Sequence, residues 1–291
     1  MNRHHARSRG LKTLALLLAV AGIAGAAADK AAPQGSVTLA YKLAPGATLA
    51  YKQSGSQTQD MDMMGQTMST VSTSSMDLTL KGKGPKDENL LIGVTIDGMT
   101  LNVQSPQGDI TPDLSGVLGK SFDLVLSPLG KELDVSGAAA FTVDMGQAGR
   151  RDLTSNFQGF FPDLPDHPVK VGDTWPSEDN IVQKSDSGDV HISLKNENTF
   201  DGFETIDGRE CARVKAVIKG TLSGALNQGG VSLALDAKLE GTQTWHFAVK
   251  DGVFVKAEMK ATMGGVISIE SMSMTIGFSG EQRSTTALVK K

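Results

Sequence analysis

From Val190 to Phe278 apolar and polar residues alternate along most of the chain. Val190, Ile192 and Leu194 face away from His191, Ser193 and Lys195, and Ala212, Val214, Ala216 and Ile218 face away from Arg213, Lys215 and Lys219. Val231, Leu233, Leu235, Ala237 and Leu239 form the longest such run, continued by Trp245, Phe247 and Val249 and, past Asp251-Gly252, by Val253, Val255, Ala257 and Met259. Period two is the mark of strands with one apolar and one wet face. The alternation slips between Ile267/Ile269 and Met272/Met274/Ile276/Phe278, which predicts a bulge near Glu270.

The first half reads the same way with weaker signals. Ser36 to Lys42 and Ala47 to Ser56 predict a hairpin around Ala44-Pro45-Gly46, and the Ser/Thr/Met-rich stretch from Thr58 to Gly82 predicts strands with a solvated face. Asp97-Gly98 predicts a tight turn, and Pro128-Leu129-Gly130 another between Phe122–Leu126 and Glu132–Val135. Two segments have helical spacing. Over 112–118, Thr111 stands as N-cap, Pro112 as first residue and Gly119 as stop; over 144–160, Asp144 and Gln147 are spaced as a capping box, with Leu153, Phe157, Phe160 and Phe161 on one face. The expected fold is mainly β, a curved antiparallel sheet or half-barrel with two short helices.

Between the halves, 36–159 and 177–291, lies a crossover over 160–176 in which Pro162, Pro165 and Pro168 exclude helix and central strand. Its Gly172-Asp173 turn leads into Trp175, which is expected to plug one end of the sheet.

Residues 1–28 combine Arg3, Arg7, Arg9 and Lys12 with an apolar run, Leu14 to Ile23, and small residues up to Ala28. That is the layout of a cleavable export leader, followed by a polar tail over 29–35 and a single β-rich domain over 36–291. No cysteine follows the apolar run, so a lipid anchor is not expected, and no later stretch is long and apolar enough to span a membrane. The net charge is −4, and the leader holds four basic residues and no acidic one, so the exported chain is more acidic still. Such a surface repels nucleic acid. The single cysteine, Cys211, excludes an internal disulfide.

The crossover Pro168-Val169-Lys170-Val171-Gly172-Asp173-Thr174-Trp175, with Leu43, Gly46 and Tyr51, the hairpin residues Ser127, Pro128 and Gly130, and Gly208, Cys211 and Ala212, resembles a pattern in a family of uncharacterised secreted bacterial proteins. No activity comes with that resemblance. The implied fold is similar, by looser analogy, to the half-barrel of periplasmic lipoprotein carriers, whose concave face holds acyl chains.

Candidate chemistry is sparse. No metalloprotease, nucleophile-elbow or phosphate-loop motif is present. His191 and His246 fall on the polar parity of strands and read as solvated. Acidic pairs such as Asp163/Asp166 and Glu178/Asp179 sit beside prolines, where carboxylates cap turns. Cys211 reads as a structural thiol with part of its surface exposed. Met61, Met63, Met64 and Met68 cluster as soft thioethers that a Cu(I) site would use, or as packing around a cavity. The chain therefore reads as an exported non-enzymatic carrier of an apolar or lipid-like ligand. It would need no cofactor, and its cavity would be lined by Leu233, Leu235, Trp245, Phe247, Met272 and Met274; the alternative is a copper-binding protein built on the methionine hairpin.

Overall fold

The computed structural model describes residues 35–63, 65–106, 108–145, 149–228 and 230–289. The expected leader over 1–28, nearly all of the expected tail, Met64 and Gln147 lie outside these. Among the described residues alternation becomes thirteen strands: β1 (Thr48–Met63), β2 (Gln66–Lys86), β3 (Asn89–Gln104), β4 (Ser121–Leu126), β5 (Glu132–Asp134), β6 (Thr142–Asp144), β7 (Arg150–Asp152), β8 (Thr174–Ser185), β9 (Gly188–Ile206), β10 (Arg209–Gln228), β11 (Val231–Ala248), β12 (Val253–Ile269) and β13 (Met274–Val289). They form one antiparallel sheet in the order β5-β4-β3-β2-β1-β13-β12-β11-β10-β9-β8-β7-β6, curled as a half-barrel. Each long strand neighbours the next in sequence except at the middle, where β1 pairs with β13.

The curl is visible at glycines on the concave face. A Cβ on Gly265 would lie 2.2 Å from the Asp236 carbonyl oxygen and 2.5 Å from Ala237 Cβ, and one on Gly241 would lie 2.6 Å from the Lys260 oxygen. Neighbouring backbones thus lean inward where only hydrogen fits. Gly277, on the convex face, has open space around it. Gly265→Val is expected to destabilise the protein by about 1–3 kcal/mol. Gly277→Ala should be neutral or stabilising by up to about 1 kcal/mol. Thermal melting of the two variants would refute the inward curl if Gly265→Val proved as harmless as Gly277→Ala.

The lower half of the concave face is the main core. Tyr51, Leu78, Val94, Phe200, Val214, Trp245, Phe247 and Phe254 are buried there beneath segments that lie outside the long strands. Tyr41 packs edge-on against both Phe161 and Phe247, with centroids 5.5 and 5.1 Å away, and Trp175 packs edge-on against Trp245 at 6.1 Å. The convex face is wet, with hydroxyl pairs such as Ser54–Thr285 at 2.8 Å.

Several expectations are corrected. Neither helix forms; among the described residues only short 3-10 turns occur, at Ser136–Ala140, Thr154–Asn156 and Glu270–Met272. Over 112–118 the chain makes one turn, with Val117 N donating to Leu114 O, and stops because Gly119 takes a left-handed φ of 71°. Over 144–160 the chain instead forms β6 and β7, and Leu153, Phe157, Phe160 and Phe161 are buried as an irregular filling of the curled sheet. Their helix-like spacing reflects that burial.

Ser36–Lys42 is not a strand, and Val37 makes one bridge, to Val169 of the crossover. Asp97-Gly98 is no hairpin: β3 runs through it, with Gly98 opposite Asp77 and Ile96 opposite Leu78, so Asp97 is a bulged residue that accepts a bond from Thr79 Oγ1 at 2.5 Å. The parity slip near Glu270 is the β12–β13 connection itself, where Ser273 takes a left-handed φ of 48°.

Candidate functional site

Above the core, the concave face changes character twice. First comes a belt of amides: Asn196 and Asn198 on β9, Gln243 on β11, Gln282 on β13, and Gln53 and Gln57 on β1. Gln57 Nε2 lies 3.8 Å from Met263 Sδ. Beyond the belt the same parity turns aliphatic, with Leu194 and Ile192 on β9, Leu222 and Leu226 on β10, Leu233, Leu235 and Leu239 on β11, and Ile267 and Ile276 on β12 and β13. Ile218, Leu239 and Ala261 are buried against one another at the foot of this tier, while Leu222, Leu226, Leu233, Leu235 and Ile267 are only half-buried. The crossover and its companions cover the core below and leave this tier open.

The expected cavity residues do not share one place. Leu233 and Leu235 stand on the upper tier, Leu235 opposite Ile267. Trp245 and Phe247 are fully buried in the core. They lie ten or more residues farther along β11 than Leu235, roughly 33 Å at ~3.3 Å per residue. Met274 is half-buried opposite Ile269, and Met272 is 60% exposed in the turn at the top of the sheet. The expected cavity between sheet and helices is replaced by an open trough, since the helices that would have roofed it are not formed. Of the methionine hairpin, Met61 faces Met68 across β2 and Phe278 across β13, which places both thioethers in the apolar wall; Met63 pairs with Gln66 in backbone register.

A second feature is one that alternation could not show. Under the crossover, Lys131 Nζ lies 2.5 Å from Asp163 Oδ2 and 3.4 Å from Asp179 Oδ1, and donates to the Glu178 carbonyl oxygen at 2.5 Å. Asn196 Nδ2 reaches Asp179 Oδ2 and Ser177 Oγ, each at 3.3 Å, and buried Asn198 donates to Ser177 Oγ at 3.1 Å and accepts from Trp245 Nε1 at 3.4 Å. Glu132 accepts the backbone N–H groups of Gly159 and Phe161 at 3.2 and 2.9 Å. Burial pushes the Glu132 carboxyl up to about 7. It pushes Asp163 up to about 6, against the pull of its bond from Lys131. Lys131 loses solvation too, but its two carboxylate partners outweigh that and hold its pKa above the ordinary value.

Asp163 and Asp179 read as turn caps in the sequence. Only the return of the crossover over β8 and β9 brings them together.

The remaining candidates are structural. Cys211 is wholly buried rather than partly exposed, and burial raises its thiol to about 11, which leaves it protonated and unreactive at neutral pH. His246 is also buried, not solvated, with Nε2 3.1 Å from Glu204, whereas His191 is exposed. His246 of β11 stands opposite Arg213 of β10 and His191 of β9 stands opposite Ser223 of β10, ten residues farther along that strand, so the two share no metal site. Among the described residues, no group of three or more His, Cys, Asp and Glu side chains could hold a metal ion.

No protein-family model matches the chain, and a search of curated proteins returns no match. Among solved structures, a protein with a YmcC-like fold from Bacteroides fragilis aligns over 87% of this chain and 100% of its own at 10% identity and a TM-score of 0.27. An outer membrane channel from Pseudomonas putida F1 aligns over 86% of this chain and 97% of its own at 11% identity and a TM-score of 0.27. The translocator domain of the autotransporter NalP from Neisseria meningitidis aligns over 84% and 88% at 9% identity and a TM-score of 0.20. Scores of this size do not establish a common fold, and the functional reading rests on the side chains. No described helix is long and apolar enough to cross a membrane.

Proposed function

We propose that the protein is an exported, non-enzymatic carrier that holds the hydrocarbon part of a lipid-like ligand on the upper concave tier. One observation carries this reading: a contiguous set of Leu, Ile and Met side chains lies half-buried inside the curl of the sheet, on the face opposite solvent-facing Ser, Thr, Lys and Glu, and no described segment covers it. Burying such side chains against a ligand yields about 1.5–3 kcal/mol each. The tier is aliphatic, with Phe278 its main aromatic residue, and so suits a flexible chain better than a sugar or a nucleobase, which favour aromatic stacking platforms. Export is supported by the leader over residues 1–28.

The test is displacement of a fluorescent long-chain alcohol by unlabelled lipid. Wild type should bind the probe. Leu235→Asp, which places a charge in the middle of the tier, should weaken binding at least about tenfold while leaving the melting temperature close to wild type, because Leu235 lies outside the buried core. Absence of probe binding, together with absence of lipid in an organic extract of the purified protein, would overturn the carrier reading.

A further inference from the structure

Where the aliphatic tier meets the crossover there is a small cavity of about 40 Å³, bounded by the polar side chains of Asp163, Ser177, Asp179, Asn196, Asn198 and Gln243 and on its remaining sides by the 159–162 segment and Trp245. A water needs roughly 10–15 Å³ of such space, so the cavity has room for a few waters or one small head group. It adjoins the apolar tier directly. Asn196 is one same-face step along β9 from Leu194, and Gln243 stands opposite Met259, both of which pack on the Ile218/Leu239/Ala261 cluster.

Its polar side offers mainly acceptors. The amide nitrogens of Asn196 and Asn198 are spent on Ser177, Asp179 and the Trp175 carbonyl, so they turn their donors into the wall. Two carboxylates, Asp163 and Asp179, share Lys131 as their ion-pair partner among the described residues, and a third, Glu132, lies beside them. The side chain of Asp163 is 8% exposed, so its charge is poorly screened by water. An anionic head group would meet two carboxylates at close range; a cation would balance the charge that Lys131 leaves over.

We propose that this cavity receives the primary ammonium group of an amphiphile whose tail lies on the Leu/Ile tier above it. The inference rests on the carrier reading and names the ligand class. The acceptors on its walls match the three N–H donors of a primary ammonium, which a trimethylated head lacks. The rising pKa of Asp163 is the sign expected of a buried negative charge with too little compensation.

The experiment compares dodecylamine, dodecanol and dodecanoate, each below its micelle or solubility limit at pH 7, as competitors of the fluorescent long-chain alcohol on the full-length exported chain. Dodecylamine should displace the probe at a concentration at least about tenfold lower than dodecanoate, with dodecanol between them. Asp179→Asn should bring amine and alcohol within about threefold of each other and leave dodecanol unchanged. Asp163→Asn should do the same, and Asp179 is the variant to rely on if loss of the Lys131–Asp163 pair impairs folding. If dodecylamine competes no better than dodecanol, or keeps its advantage in both variants as general attraction to an acidic protein would allow, the ammonium site is refuted and the carrier reading stands. If none of the three displaces the probe, both fail.

Discussion

Replacing Trp175 with alanine is expected to cost about 3–5 kcal/mol and to lower the melting temperature by roughly 6–20 °C, at about 2–4 °C per kcal/mol for a chain of this size. The indole is 4% exposed, its Nε1 donates to the Asp163 carbonyl oxygen at 3.1 Å, and its ring packs edge-on against Trp245. It therefore ties the crossover to the sheet twice, once by packing and once by a bond that an alanine leaves unmade. Gly172→Val acts on the same joint by another route. Gly172 holds φ at 96°, its N–H donates to the Phe200 oxygen, and Asp173 Oδ2 accepts the Lys170 N–H at 2.8 Å. Open space surrounds the position, so the cost comes from backbone strain, about 1–3 kcal/mol. Thermal melting and probe affinity measured on both variants decide whether the motif is structural. Lost affinity at an unchanged melting temperature would make Trp175 a ligand contact instead.

Stability against urea should be greater at pH 5 than at pH 8, by about 2–3 kcal/mol from Glu132 alone. The Glu132 carboxyl has its pKa raised from 4.5 in the unfolded chain to about 7 by burial, and a gap of that size corresponds to about 3 kcal/mol. Because the folded state holds the proton more tightly, this stability is fully present below about 4.5 and is lost as pH rises through about 7. Asp163, raised from 3.8 to about 6 by burial, acts in the same direction over a lower window. Carboxylates whose pKa is lowered, such as Glu258 bonded to Lys256, oppose this at acid pH, where their stabilisation is lost as pH falls. A maximum near pH 5 is the result. Glu132→Gln keeps one acceptor for the Gly159 and Phe161 amides and cannot ionise, so its stability should vary much less between pH 5 and 8. A wild-type stability that is flat or rising over that interval would contradict the buried position of Glu132.

The long strands were legible because period two was enforced by a real boundary between a wet face and an enclosed one. Val231 to Leu239 alternates in sequence and faces in and out in the structure as expected, whereas over Val253 to Met259 the parity breaks at a bulge opposite His246 and Phe247, so that Phe254 and Ala257 join the main core and Val253 and Val255 pack with Cys211 and Ala248 in a second cluster. The two expected helices show where such reasoning stops. Phe157, Phe160 and Phe161 are apolar because the curled sheet surrounds them, and a segment buried on several sides produces helix-like spacing without a helix. Asp97-Gly98 carries the dipeptide of a tight turn, yet pairing on both sides of β3 turns it into a bulge. The same holds for the site. Leu233 and Leu235 could be placed on an inner face from their parity, but nothing local tells Trp245 that the crossover will cover it. The Lys131/Asp163/Asp179 cluster joins residues from three separate stretches, which no spacing rule can bring together.

The pairing of β1 with β13 governs how this chain can fold. Ser54 and Thr285 bond across that seam although they are 231 residues apart, and the seam lies at the centre of the sheet rather than at its edge. Hairpins β1–β2–β3 and β8 to β12 can form locally as each emerges. Until β13 arrives, β1 and β12 each keep one row of backbone donors and acceptors unpaired, and two half-sheets coexist, each with a raw edge and an apolar face exposed. Closing a loop of that length is slow, and exposed edges of this kind pair with other copies. The conspicuous vulnerability of the molecule is therefore kinetic and belongs to its nascent state, during which a chaperone would have two half-sheets to keep apart.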